Sequence, residues 1–484
     1  MDSKTQNVID IFKQVSSIPR CSKNEEQIIQ WLTEWAEANQ LAVKKDAAGN
    51  MLISVPATEG YEQAPVIVFQ GHMDMVCEKT TDSKHDFSTD PIEFVFDGDW
   101  LGADKTSLGA DNGIAIAVGL ALVTDETVVH PPLELLFTVD EETGLNGAKK
   151  LEAGFISGKI LINIDSEAEG VFTVGCAGGR DAHIKLPLNY APLPESYALF
   201  DLTVQGLRGG HSGIDIHKIR ANANILLNRA LRDLRSNADI QLVSFKGGTA
   251  HNAIARDATA VIACEPDTAD SVAQRVAAFE EIVKNEYAPS EPALSITLSE
   301  TALNPKDNQS VVEEDLVKML NLITALPHGV ADMSAAFDGL VETSCNLAKI
   351  ETTASGLQML TSQRSLVQSK LDELICKVKA ISDLAGATAV SENEYPPWQP
   401  DLDSPLLKRS VEIYQSVFNQ EPVVESIHAG LECAIIGSKY PGIDMLSVGP
   451  TMKNPHSPDE VLYLPSLIRL WEFLTALLKS YKGS

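Results

Sequence analysis

Apolar and polar positions follow one another along this chain in two rhythms, and each rhythm predicts an element. In QIIQWLTEWAEANQ, residues 27–40, apolar side chains return every three or four positions, the spacing of an amphipathic helix. MDSKTQNVIDIFKQVSSIPR at residues 1–20 carries the same period. APVIVFQG (64–71), PLELLFTV (132–139) and KILINID (159–165) are short, nearly unbroken apolar runs, which predict strands buried on both faces. NGIAIAVGLALV (112–123) is long enough for a buried helix among them. Helix and strand in alternation predict an α/β layered domain.

The pattern changes at NYAPLPES, residues 189–196, where two prolines among small polar residues predict a linker. Two loosely similar units follow. The first is ALFDLTVQGL, a helix around ANANILLNRALRDL, then IQLVSF and TAVIAC; the second is ALSITLSET, a helix around EEDLVKMLNLITAL, then NLAKIET and GLQMLTSQ. Strand, helix, strand, strand repeated in this way predicts an open sheet with helices on one face. A second proline cluster, EYPPWQP at 394–400, closes the insert, and SPLLKRSVEIYQSVF and LPSLIRLWEFLTALLKSY return to helical spacing. We therefore expect a discontinuous first domain from residues 1–186 and 395–484, interrupted by an α+β domain over residues 187–394.

Composition narrows the class. The 484 residues exceed one ordinary core, and 44% hydrophobic with 22% charged residues describes a soluble globular protein. A net charge of −29 opposes binding to nucleic acid or an anionic membrane. Seven scattered cysteines without a CxxC pair argue against a disulfide framework and against a thiolate zinc site. With no apolar signal core and no run of about 18 apolar residues, the expected location is the cytoplasm.

The candidate chemistry lies where predicted strands end. GHMDMV places His72 and Asp74 two positions apart after an apolar run, so the carboxylate can steady the imidazole. LGADNG opens the buried helix on Asp111, where an Asp is also an ordinary helix cap. FTVDEETG sets Asp140, Glu141 and Glu142 side by side, and KILINID ends on Asp165. Adjacent carboxylates repel unless a cation or firm hydrogen bonds stabilise them; a solvated turn is the plain alternative. One acid at a strand end means little, but His72, Asp111, Glu142 and Asp165 are four such groups, in the place where α/β sheets bind ligands. Nitrogen and oxygen donors without thiolate suit zinc, manganese or cobalt, and two metals sharing a carboxylate use so many acids best. Glu142 is then a ligand and Glu141 a free base beside the cations.

GHMDMV, LGADNG, FTVDEETG, NID and the late NPHSPDE resemble the co-catalytic zinc peptidase family, which includes carnosinases, aminoacylases and succinyl-diaminopimelate desuccinylases. GLRGGHSGIDIH, KGGTAHNAIARDA and IHAGLECAII bring the resemblance closer to that family's bacterial dipeptidases, over essentially the whole chain. The resemblance implies a mixed sheet sandwiched by helices, with the insert serving as a lid and dimerisation domain. It implies two divalent ions, zinc before cobalt or manganese, with His72 and Asp165 on one, Glu142 and His456 on the other, and Asp111 bridging. Asp74 then orients His72, and Glu141 is the general base. His211 is implied to reach across a homodimer to stabilise an oxyanion, and Asn252 and Arg364 to bind substrate, Arg364 by clamping a terminal carboxylate. Ala434 in HAGLECAII departs from the glycine expected there, which bears on substrate contacts and not on the metals.

The implied reaction is hydrolysis of unblocked dipeptides, Xaa-His among them. Tripeptidase or N-acyl amino-acid deacylase activity shares every metal residue, and a non-catalytic metal-binding dimer module needs the ligands but has no use for Asp74 and Glu141. An acidic scaffold with solvated carboxylates holds no stoichiometric metal.

Overall fold

The computed structural model describes residues 3–301 and 308–483. They form two compact units, one of Met1–Cys176, Trp398–Ser426 and Leu431–Ser484, the other of Ala177–Pro397 with Ile427–Gly430.

The first unit is built on an eight-stranded mixed sheet in the order Ala42–Lys45, Met51–Val55, Leu133–Thr138, Ile67–His72, Ile160–Asn163, Asp444–Ser447, Val171–Cys176 and Val423–Ile427. The four central strands Leu133–Thr138, Ile67–His72, Ile160–Asn163 and Asp444–Ser447 run parallel to one another, and the flanking Met51–Val55 and Val171–Cys176 run antiparallel to them. Their apolar runs reflect that position: every residue of Leu133–Thr138 and Ile67–His72 is buried, so both faces are covered. Helix Ala110–Thr124 packs on Ile67–His72 and Pro405–Phe418 on Asp444–Ser447, with Ser3–Val15 and Leu464–Lys479 behind them. Each large apolar side chain removed from water there, Phe69 and Phe137 among them, contributes about 1.5–3 kcal/mol. A small four-stranded sheet joins Met452–Lys453, Val461–Tyr463, Trp100–Ala103 and Phe94–Asp97. It pairs a hairpin from the end of the chain with the strand that leads toward Asp111.

In the second unit an antiparallel sheet runs in the order Ser295–Glu300, Ala198–Gln205, Ala258–Cys264, Gln241–Gly247, Val341–Thr353, Gly356–Ser365, Gly178–Leu186 and Thr388–Tyr395, and Gly329–Met333 also pairs with Val341–Thr353. Alternate residues such as Phe200, Leu202 and Val204 share one apolar cluster with helices Ala223–Asn237, Ala269–Tyr287, Glu313–Ala325 and Gln368–Leu384. Two of those helices, Ala269–Tyr287 and Gln368–Leu384, lie in stretches to which the sequence pattern assigns no element. Both have weak contrast between faces, because small and polar residues interrupt their apolar stripes. Among the described residues no helix is long and apolar enough to cross a membrane.

Most of the scattered cysteines form no disulfide framework, but one pair is linked. Cys21 and Cys77 form a disulfide with a Cα–Cα distance of 5.7 Å. Their separation of 56 in sequence hides it; Cys21 forms a parallel bridge with Met75, so two loops distant in the chain run side by side. Alkylation of unfolded, unreduced protein is expected to modify the five remaining cysteines, and all seven only after treatment with a dithiol. Modification of all seven without reductant would show the pair to be open.

Candidate metal centre and active site

Parallel strands release their chains at one edge of the sheet, and there the predicted ligands meet. His72 lies beside Thr138, and Gln70 beside Asn163, so the residues after these strands emerge next to one another. A buried polar chain fixes the ends laterally. Thr138 and Gln70 donate to the Glu432 carboxylate at 2.6 and 2.5 Å, Asn163 donates to Gln70 Oε1 at 2.6 Å, and Ser447 donates to Asn163 Oδ1 at 2.5 Å.

His72 is 1% exposed. Its Nδ1 lies 3.3 Å from Asp74 Oδ1, while Nε2 faces Asp111 Oδ1 at 3.0 Å and Asp165 Oδ1 at 3.5 Å. Asp74 does more than orient the ring: its carboxylate accepts the Ser22 hydroxyl at 2.8 Å and the backbone N–H groups of Glu141 and Glu142 at 3.0 and 3.2 Å. These bonds fix the backbone from which the three acids project. Asp140, with φ of 50°, takes hydrogen bonds from Thr143 and Asn146 and shapes the turn, while Glu141 and Glu142 are tethered by their backbones to Asp74.

Asp111 sits where the chain enters Ala110–Thr124, behind a left-handed Gly109 with φ of 67°. A side chain at that glycine would meet the Arg20 guanidinium as well as strain the backbone. The two Asp111 oxygens face different imidazoles, Oδ1 toward His72 and Oδ2 toward His456 Nε2 at 3.1 Å. His456 Nε2 also lies 3.0 Å from Glu142 Oε2, and Asn112 donates to Asp165 Oδ1 at 2.7 Å. His456 reaches this place because its loop closes the hairpin of Met452–Lys453 and Val461–Tyr463, which pairs with Trp100–Ala103.

The charges explain what the donor set can hold. Burial alone would lower the pKa of His72, but Asp111, Asp165 and Asp74 raise it well above an ordinary imidazole. Hydrogen bonds to Asp111 and Glu142 raise His456 to about 11. Burial, helped by the neighbouring acids, pushes Asp165 up to about 6 and Glu141 well above the carboxylate range. For Asp74 burial also pushes upward, but the bonds it accepts from His72 and the Glu141 N–H outweigh it and hold the carboxyl at about 2. Raised proton affinity at two imidazoles and two carboxyl groups marks a cluster short of positive charge. Three sets of donor atoms lie within 4.8 Å of one another: His72, Asp111 and Asp165; Asp111, Glu142 and His456; and His72, Glu141 and Glu142. Glu142 Oε1 is buried with no hydrogen-bond partner. The residues thus fit two divalent cations sharing Asp111.

The other three candidates lie in the second unit. His211 pairs with Ala253, and the Asn252 carbonyl accepts the Ser212 N–H at 2.8 Å, so His211 and Asn252 are neighbours, Asn252 exposed. His211 Nδ1 accepts from the N–H groups of Gly213 and Ile214 at 3.2 and 3.1 Å, which leaves the proton on Nε2. Burial and the nearby Arg364 lower its pKa to about 4, so the ring is a neutral donor at physiological pH. Arg364 is 7% exposed, donates from Nη1 to the Tyr395 hydroxyl at 2.8 Å, and keeps Nε without a hydrogen-bond partner. Sequence reasoning missed Arg20, Ser22, Glu432 and Glu460 as members of the centre. The signal for Glu460 was its place in NPHSPDE, four positions after His456.

Residues 202–291 match the family model described as a peptidase dimerisation domain. The cytosol non-specific dipeptidase of Escherichia coli is 42% identical over 474 residues, covering 98% of this chain and 97% of that protein. The crystal structure of aminoacylhistidine dipeptidase from Vibrio alginolyticus superposes with a TM-score of 0.85 at 38% identity, over 98% of this chain and 96% of that one. Human carnosine dipeptidase 1, at 13% identity and a TM-score of 0.52 over 100% of this chain and 98% of that one, shares the fold alone. With nearly the full length matched at 42% identity and the donor residues gathered at one sheet edge, this chain belongs to the cytosol non-specific dipeptidase family of M20-type peptidases.

Proposed function

We propose that this chain is a cytoplasmic metallodipeptidase that hydrolyses unblocked dipeptides, Xaa-His dipeptides among them. The observation that carries the metal chemistry is Asp111, whose two oxygens face His72 and His456 separately. We assign His72, Asp111 and Asp165 to one ion and Asp111, Glu142 and His456 to the other, with zinc as the native metal ahead of cobalt or manganese. When bound, the two ions supply positive charge that acidifies water and polarises the scissile carbonyl. Glu141 takes the proton of the attacking water and passes it to the departing amine. Asp74 holds the His72 ring and the backbone of Glu141 and Glu142 in place. His211, protonated on Nε2, donates to the developing oxyanion, in the other subunit of a homodimer formed through the second unit. Arg364 and Asn252 receive the substrate, Arg364 by pairing with its terminal carboxylate.

Metal analysis of purified protein is expected to find two equivalents per chain, and a panel of free dipeptides, tripeptides and N-acyl amino acids to show hydrolysis of the dipeptides foremost. Chelation should abolish it, and zinc, cobalt or manganese restore it. Turnover that persists in metal-free protein, or a preference for blocked substrates, would overturn the assignment.

A further inference from the structure

Glu460 is 2% exposed and stands on the loop that carries His456. Its carboxylate accepts four consecutive backbone N–H groups: Oε2 those of Leu108 and Gly109 at 2.8 and 2.9 Å, Oε1 those of Ala110 and Asp111 at 2.8 and 3.3 Å. A helix start leaves such N–H groups unpaired, and a side chain at the capping residue normally takes them. Here the capping residue is Gly109, which has none, and a carboxylate from the far end of the chain substitutes. The Arg20 guanidinium bonds the carbonyl of the same Gly109 and, at 3.0 and 2.9 Å, the carbonyls of Met73 and Asp74. The Asp111 turn is therefore tied to the His72 segment through carbonyls and to the His456 loop through N–H groups. The second tie matters more for the loop, because the His456 side chain is 50% exposed and its backbone, at φ 60°, stands in the left-handed region.

We infer that Glu460 is a positioning residue that holds His456 against Asp111 and so sets the affinity of the ion assigned to Asp111, Glu142 and His456. This rests on the two-ion reading. A glutamine at position 460 keeps the size but has one acceptor oxygen, so two of the four N–H groups face its amide NH2.

The test is a competitive chelator titration of zinc-loaded wild type, Glu460→Gln and Glu460→Asp, with kcat, KM and thermal unfolding of the metal-free proteins measured alongside. In Glu460→Gln one equivalent is expected to bind about 10–100-fold more weakly, the range for changes in the groups that orient metal ligands. The other equivalent should stay near its wild-type affinity, and kcat should fall more than KM rises. Glu460→Asp, which keeps both acceptor oxygens on a shorter side chain, should recover part of the loss. Unchanged affinity for both ions in Glu460→Gln, or an equal weakening of both, would overturn the inference. If Glu460→Gln does not fold, wild-type affinity for both ions in Glu460→Asp overturns it. Wild type that binds fewer than two ions counts against the two-ion reading itself, independently of the variants.

Discussion

Replacing Glu141 by glutamine is expected to lower kcat by about 10²–10⁴-fold, the usual contribution of a positioned general base, while both equivalents of metal remain. The substitution keeps the size of the side chain and the backbone bond from residue 141 to Asp74, so the loop that presents Glu142 does not move. It removes only the ability to take a proton. Burial raises the pKa of Glu141, with His72 opposing it and Asp165 and Glu142 adding to it, and this offsets the lowering that two nearby cations bring. Metal content, KM and kcat for one dipeptide measured on the same preparation make the check. Near-normal turnover would remove Glu141 from the mechanism, and loss of metal would make it a ligand, as the third donor set containing His72, Glu141 and Glu142 allows.

Replacing Asp111 by asparagine is expected to cost at least one of the two ions and to bring hydrolysis close to background. The carboxylate has two equivalent oxygens, one facing each imidazole; an amide has one oxygen, and its NH2 group cannot bind a cation. The substitution also removes one unit of negative charge, but the oxygen donors of Glu142 and Asp165 remain, so the bridge between the two imidazole-facing positions is the feature specifically lost. Metal analysis after dialysis, with thermal unfolding of the metal-free proteins as a control for folding, makes the measurement. Two equivalents retained in Asp111→Asn would show that the ions are not shared through this residue.

Both predictions concern residues that the pattern of the sequence already singles out, and the reason is local. A strand buried on both faces must be apolar along its length, so IVFQGH, LELLFT and ILIN stand out in the sequence and the polar residues at their ends stand out with them. His72, Glu141, Glu142 and Asp165 are legible on that ground, and Asp111 as the first acid of a buried helix. His456 is legible only by resemblance. Its loop shows stiffness between Pro455 and Pro458 but nothing of its partners, because those depend on a hairpin pairing with Trp100–Ala103, a strand from the first part of the chain.

What the chain determined by itself is therefore the set of elements and the kind of chemistry: apolar periodicity is a property of neighbouring residues, and the acids sit where that periodicity stops. What only the tertiary structure decided is which side chains hold the site together. Arg20 and Glu460 grip backbone carbonyls and N–H groups, which nearly every residue carries, so no residue type at the other end of the bond marks the contact. Cys21 and Cys77, likewise, meet because two loops lie side by side, not because of their spacing. Contacts of this kind follow from the path of the backbone, and that path is set by the packing of the whole unit.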